Sequence, residues 1–588
     1  MLISAGPGSG KTQTIINKIG WLLYNGAKPQ EIVYVTFTRN ATTEAKNRLE
    51  AAIGREMVDG ITISTAHSLA FHEIKKHHRD ASIAASNREV RVLENYAWQK
   101  TAKEIEKQGC VVAGRFNQED LSFSRYVARL PKQQQVIAYR CLKEAEEDTA
   151  AYTFDRILQL YTSLEQSGGI PKHSWVFVDE VQDCGYLLTK QFLAMGSNSD
   201  HLVCVGDLNQ SIYGTMNRFA PSKMLEMLQK EFHGITHVVL TKNFRSCNSI
   251  IELSDRLQAA PGMLDHTRHF GTGASGTTRK HLIACEDYES FSGKQAKFIV
   301  KDIQEAVSNG ESYGNIAVTF RQWHVSSKDS LAYSALQEEF RKANIPFIRQ
   351  AGSNLTDALS QLRNFTRCLR TGGAKVSKKR GVKLKLMALL CEHPGIGTVF
   401  AERFASIIQG QGQIPRTVFT DFVSTLYEAV WADYRNDFGL LDPDSVLSAY
   451  RAVLDAGRSD LLKEAMTEEF AAIAKACILN GKWDSAILDA YDGQPVLQDK
   501  NAVVLTTVHK AKGLEYDRVY IVDCATGSSK FVIPTGYRRF GIEGEEDNRK
   551  LYVAVTRARK HCTMIGNAQG RWPGALQNAA VDEETTQE

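Results

Sequence analysis

The chain has 11 cysteines, from Cys110 to Cys562, and no two of them at CxxC spacing. That excludes a zinc ribbon and a disulfide framework and reads as reduced thiols of an intracellular protein. No stretch approaches the roughly 18 consecutive apolar residues of a membrane-spanning helix, and the opening MLISAGPGSGKT has neither the basic nor the long apolar region of a secretory signal. Charge of one sign is lacking too: 71 lysines and arginines against 67 aspartates and glutamates leave +4. A protein that coats polyanions through its overall field is thereby excluded, and any nucleic-acid surface must be local. No repeat recurs at solenoid spacing. What is present is 588 residues with 43% hydrophobic and 23% charged side chains, ordinary values for a folded chain. At roughly 150 residues per domain the length fits about four domains or one large discontinuous assembly.

Hydrophobic periodicity points to α/β architecture. Near the start, the run Leu2–Ser4, an amphipathic stretch Lys11–Leu23, the apolar run Ile32–Phe37 and a helical pattern Ala41–Ile53 alternate as a parallel sheet requires. Apolar runs at Trp175–Val178, Leu202–Val205 and Val238–Leu240 end in polar residues and are assigned to the same sheet. A second set follows: Leu282–Cys285, Lys294–Val307, Asn315–Phe320, Ser330–Lys342, Val503–Val508, Val519–Val522 and Met564–Ile565. The predicted organisation is a first α/β domain of residues 1–70 and 171–245 with a helical insertion at 71–170. A second α/β domain spans 246–355 and 496–570, with a helical insertion at 356–495. Residues 571–588, acidic and polar from Val581 on, are expected to be a disordered tail. The basic cluster Lys375, Lys378, Lys379, Arg380, Lys383 and Lys385 reads as a solvated loop, with contact to a phosphate backbone as the alternative.

Two motifs carry chemistry. Ala5, Gly6, Pro7, Gly8, Ser9, Gly10, Lys11 and Thr12 sit between a strand and a helix, the pattern of a phosphate loop with alanine in first place. Its glycines let backbone N–H groups turn onto phosphates, Lys11 reaches the β- and γ-phosphates, and Thr12 offers a hydroxyl to Mg²⁺. The strand VFVDEVQD (176–183) ends in carboxylates. Asp179 is predicted to hold the magnesium and Glu180 to take a proton from an attacking water.

Further segments occur in a fixed order: VTFTRNATTEAKNRL (35–49), STAHSLA (64–70), VGDLNQSIYG (205–214), LTKNFRS (240–246), NIAVTFR (315–321), VVLTTVHKAKGLEYDRVYIV (503–522) and EEDNRKLYVAVTRAR (545–559). With them the chain resembles superfamily 1 DNA helicases of the UvrD/Rep/PcrA group, across both α/β domains. The resemblance implies two RecA-like phosphate-loop NTPase domains, parallel sheets with flanking helices, each with a largely helical insertion. It implies ATP and Mg²⁺ as cofactors. Gln210 would sense the γ-phosphate, and Arg245 and Arg557 would reach that phosphate from across the domain cleft. Phe244 stands where the family stacks a tyrosine on adenine, and Glu515 would lie near the ribose. Phe37, Thr38, His67, Tyr213, Thr507 and His509 match positions that contact DNA, with Thr36 as a further phosphate contact.

The chain departs from the pattern in three places. Relatives carry a glutamine motif before the phosphate loop, whereas this chain opens almost at the loop, so a truncated start is expected, with relaxed nucleotide selectivity as the alternative. Gly214, Thr215 and Met216 replace an arginine–tryptophan–arginine run, with Arg218 or Phe219 as substitutes. Gln13 follows Thr12 where relatives often place an arginine near the base. The expected activity is ATP-dependent, 3′-to-5′ translocation on single-stranded DNA and unwinding at single/double-strand junctions, in DNA repair, recombination or replication. The expected setting is the cytoplasm, on DNA and not on a membrane, with a protein partner for processive unwinding. The alternatives are a non-motor DNA-binding or regulatory protein with a crippled ATPase and the motor subunit of a helicase–nuclease complex.

Overall fold

The computed structural model describes residues 1–79, 81–84, 87–111, 127–213, 219–260, 263–321, 331–349, 468–480, 501–524, 545–568 and 582–586, with single residues or short groups at 123, 358–366, 443–451 and 570–576. The chain divides into two compact units. One holds Met1–Ala66, Thr162–Gln350 and Gln498–Glu588, the other His67–Tyr161 and Ala351–Leu497.

In chain order the strands begin with β1 (Leu2–Ala5), β2 (Ile32–Thr36) and β3 (Thr62–Thr65). Then come β4 (Ser82–Ile83) and β5 (Ala151–Tyr152), which pair with each other in the second unit, and β6 (His173–Val178), β7 (Ser199–Gly206) and β8 (His237–Leu240). In the first unit a six-stranded sheet runs in the order β3-β2-β6-β7-β1-β8, every neighbouring pair parallel. β2 reads IVYVT with all five residues buried, as expected of a strand covered on both faces. The register aligns Val35 with Val178, Val178 with Cys204 and Ser4 with Gly206. The loops beginning at Gly6, Asp179 and Asp207 therefore leave from one edge, the carboxyl edge where open α/β sheets bind ligands. The helix Lys11–Tyr24 follows β1 directly and buries Ile15, Ile16, Ile19 and Leu22, one face at helical spacing.

The remaining strands are β9 (Thr277–Ile283), β10 (Ile316–Phe320), β11 (Phe347–Arg349), β12 (Val503–Thr507), β13 (Tyr516–Ile521), β14 (Ala558–Asn567) and β15 (Asp582–Thr586). They form a second parallel sheet, β11-β12-β10-β13-β14-β9-β15, in the same unit. Alternation along β13 splits the core in two. Val519 and Ile521 pack with Ile250, Leu253, Tyr552 and Met564 on one face. Tyr520, on the other, packs with Phe291, Ile299, Val318 and Leu336.

Two expectations are corrected. Asp582–Thr586 is an edge strand, not a disordered tail, and its register sets Asp582 opposite Arg279 and Glu583 opposite Lys280. Arg557 lies between the helix Glu545–Val555 and β14. The chain leaves the helix because Ala558 already pairs with Tyr516. β9 also begins earlier than its apolar residues suggest. It reads TTRKHLI, and Thr278, Lys280 and His281 are buried.

The second unit is mainly helical where described. Asn87–Lys107 packs against Lys132–Thr149, with Lys100 bridging to Asp148 at 2.8 Å and Glu144 at 3.1 Å. The basic cluster Lys375–Lys385 and the run Gly214–Arg218 lie outside the described residues. Among the described residues no helix is long and apolar enough to cross a membrane.

Candidate nucleotide site and aromatic track

The phosphate loop is held open by two left-handed glycines, Gly8 (φ +69°) and Gly10 (φ +83°). A Cβ on Gly8 would stand 2.5 Å from the Cβ of Arg245 and 2.7 Å from Asn243 Oδ1, so the position excludes a side chain by space as well as by φ. Ser9 Oγ donates to Gly6 O at 2.6 Å, and Lys11 Nζ donates to the carbonyls of Ala5 and Gly6 at 3.2 and 3.4 Å. The helix beginning at Lys11 points its positive end into the loop, which with Lys11 makes an anion cradle. Gln13 Nε2 donates along the helix to Asn17 at 2.9 Å.

Facing the loop, Asp179 is buried and accepts from Thr12 Oγ1 at 3.2 Å, Tyr34 Oη at 3.0 Å and the Glu180 N–H at 2.9 Å. Burial, and next to it the charge of Glu180, pushes the Asp179 pKa up to about 6. Glu180 is left-handed at φ +53°, a strained conformation for a residue with a side chain, and accepts from Gln182 Nε2. Burial opposes its charge, but Lys11, Lys512, the Gln182 amide and Arg557 outweigh that and lower its pKa. Lys512 Nζ donates to both oxygens of Asp183 at 2.6 and 2.5 Å and to Gln210 O at 2.6 Å. Asp183, raised to about 6 by burial, is thus matched with a lysine.

A hydrogen-bonded chain links this edge to the second sheet. Gln182 Oε1 accepts from the Asp207 N–H at 3.1 Å, and Asp207 Oδ2 accepts from Gln210 Nε2 at 2.8 Å. Gln210 Oε1 in turn accepts from Arg557 Nη2 at 3.1 Å. Arg557 is fully buried and also donates to Val553 O at 3.0 Å and Leu514 O at 3.2 Å. Burial, with Arg245 beside it, lowers its pKa to about 9, which still leaves it charged at neutral pH. Arg245 Nε donates to Glu515 Oε2 at 2.5 Å. Asn243 locks its own segment to the loop: Nδ2 donates to Pro7 O at 2.8 Å, and Oδ1 accepts from the N–H groups of Arg245 and Ser246 at 2.8 and 2.9 Å. Phe244 N–H donates to Gly8 O at 2.8 Å while its ring is 60% exposed.

Beside this network three rings form a row across the two sheets. Phe37 and Tyr213 lie 5.8 Å apart by centroid, and Tyr213 and His509 5.6 Å. Tyr213 Oη donates to His509 O and His509 Nε2 to Ile212 O, both at 3.2 Å. Burial, helped by Lys550, lowers the His509 pKa to about 4, so the ring is neutral at pH 7. Thr507 is buried at the end of β12, Thr36 is buried with its hydroxyl on Thr38 O, and Thr38 caps the helix Arg39–Ile53 through Ala41 N–H at 3.2 Å. His67 belongs to the second unit, where it meets Phe154 edge-on at 5.1 Å and burial lowers its pKa to about 4. Phe219 packs edge-on against Tyr186.

Sequence reasoning did not assign Tyr34, Asp183, Asp207, Asn243 or Lys512. All five lie in or directly beside the recognised motifs, but only tertiary contact shows what each touches.

A model described as the UvrD/REP helicase N-terminal domain matches residues 1–233, and one described as the UvrD-like helicase C-terminal domain matches residues 484–569. The ATP-dependent DNA helicase PcrA of Staphylococcus epidermidis is 24% identical over 97% of this chain and 82% of its own. DNA helicase II of Haemophilus influenzae is 24% identical over 96% of this chain and 81% of its own.

Proposed function

Because the chain belongs to the UvrD-like helicase family, we propose that it is an ATP-driven DNA helicase that moves 3′-to-5′ along single-stranded DNA and unwinds duplexes at junctions, in repair, recombination or replication. One observation carries this reading. The segment 207–213 holds Gln210, bonded to Arg557 just before β14 of the second sheet, and three residues on holds Tyr213, the middle ring of the aromatic row. A change in the nucleotide network thus has a short covalent route to the bases.

In this reading the backbone N–H groups of residues 8–12 and Lys11 bind the β- and γ-phosphates. Thr12 and Asp179, hard oxygen donors already 3.2 Å apart, suit Mg²⁺, which takes one or two carboxylates and fills its remaining positions from phosphate and water. The ion supplies charge neutralisation at the phosphoryl oxygens. Among the described residues no group of three or more His, Cys, Asp or Glu side chains could hold a metal. Glu180, kept ionised by Lys11 and Lys512, accepts the proton of the attacking water. Arg557 and Arg245 stabilise charge spreading over the transferred phosphoryl group, and Phe244 stacks the base. Phe37, Tyr213 and His509 carry DNA bases, each stack worth about 1–3 kcal/mol.

The test is steady-state ATP hydrolysis with and without single-stranded DNA, followed by unwinding of duplexes bearing a 3′ or a 5′ tail. Lys11→Ala and Glu180→Gln are expected to abolish DNA-stimulated hydrolysis while DNA binding stays measurable. Undiminished turnover in both would overturn the site assignment, and preference for the 5′ tail would overturn the direction.

A further inference from the structure

We propose that Phe270 is a second aromatic wall of the nucleobase subsite, with Lys242 beside both it and Phe244, and that it favours purine over pyrimidine nucleotides. The inference rests on the reading that Phe244 stacks the base.

Phe244 and Phe270 are 60% and 59% exposed, two large apolar rings left in water at the rim of the phosphate loop. Neighbouring exposed rings of this kind mark binding surfaces. Lys242 and Phe270 are partners in a parallel bridge, closed by Phe270 N–H on Thr241 O at 2.9 Å and Asn243 N–H on Phe270 O at 2.8 Å. Bridged partners project to one side, so Lys242 and Phe270 share a face. Lys242 Nζ lies 5.0 Å from the Phe244 centroid. Lys242 thus stands beside both rings, bridged to Phe270 through the backbone and lying over Phe244, and Phe244 N–H ties this segment to Gly8 O.

The mounting of Phe270 is rigid. His269, the preceding residue, is buried, with Nδ1 2.9 Å from Asp255 Oδ1. Its Nε2 lies 2.0 Å from where a Cβ on Gly6 would stand, so the imidazole rests directly on the phosphate loop. Upstream, Asn209 Oδ1 accepts from the N–H groups of Leu264 and Asp265 at 2.8 and 3.1 Å. Nothing in this bracing needs the Phe270 ring, which leaves the ring free for a ligand. A purine bicycle offers enough flat surface to cover two phenyl rings, and a pyrimidine offers less.

The experiment is the KM and kcat for ATP and for CTP in DNA-stimulated hydrolysis by the full chain, comparing wild type, Phe244→Ala, Phe270→Ala and Phe270→Tyr, with a thermal melt of each. Phe270→Ala is expected to raise the ATP KM roughly five- to tenfold with kcat nearly unchanged, to change the CTP KM much less, and to melt like wild type because the ring is exposed. Phe270→Tyr should restore the ATP KM. An unchanged ATP KM in Phe270→Ala beside a raised one in Phe244→Ala would overturn the role of Phe270 and leave the base subsite standing. Unchanged values in both would overturn the subsite itself.

Discussion

Among the described residues Arg557 is one of the largest fully buried side chains, and it carries a charge. It is tolerable because Gln210, Val553, Leu514 and Thr556 all accept from its guanidinium. Lysine cannot reproduce that fork from one ammonium. Arg557→Lys should therefore lower DNA-stimulated hydrolysis by about 10³ or more, the scale of an arginine finger. It should also cost about 1–3 kcal/mol of stability from stranded acceptors. Hydrolysis within tenfold of wild type would refute the first part, and an unchanged denaturation midpoint the second. His509 offers a pH test. Its folded pKa of about 4 lies below the ordinary 6.5, so the native fold rejects a proton that the unfolded chain accepts. That contribution is fully present above pH 6.5 and is lost as pH falls toward 4, at most about 3 kcal/mol. Urea denaturation of His509→Asn should lose less stability than wild type over that window, and parallel profiles would count against the buried neutral ring.

At the scale of elements, the strand–loop–helix of residues 2–24 was legible because each part has a local cause. An apolar strand, glycines where φ is positive and a helix with one apolar face need no distant partner. The tight fit of Gly8 against Asn243 and Arg245 was not legible, since it depends on a segment more than 230 residues away. Gly8→Ala should both strain the loop and push that segment off it. We expect a loss of nucleotide affinity of at least tenfold with the helix content unchanged, read by equilibrium binding and circular dichroism, and wild-type affinity would show that the loop can yield. β15 and the start of β9 are not legible for the same reason. Their residues are polar, and their strand pairing comes from distant partners, β9 for Asp582–Thr586 and β14 for Thr277 and Thr278.

For the whole molecule, coupling rests on the short path from Glu180 through Gln182, Asp207 and Gln210 to Arg557, with Tyr213 three residues along the chain from Gln210. Tyr213→Ala should weaken single-stranded DNA binding by about 1–3 kcal/mol and raise the DNA concentration needed for half-maximal hydrolysis in the same ratio, and an unchanged dissociation constant would return the ring to a packing role. The sequence by itself determined the two parallel sheets and the helicase family. The sheets follow from apolar periodicity, and Lys11, Asp179 and Glu180 from motifs whose spacing is local, whereas the family, and with it Gln210 and Arg557 as candidates, comes from resemblance. Only the tertiary structure decided which atoms meet. Arg557 reaches Gln210, Lys512 reaches Asp183, and His269 rests on Gly6, each across at least 260 residues of chain. Such contacts follow from strand order and register, in which Ser4 stands beside Gly206 and Val178 beside Cys204, and no local pattern of residues encodes that order.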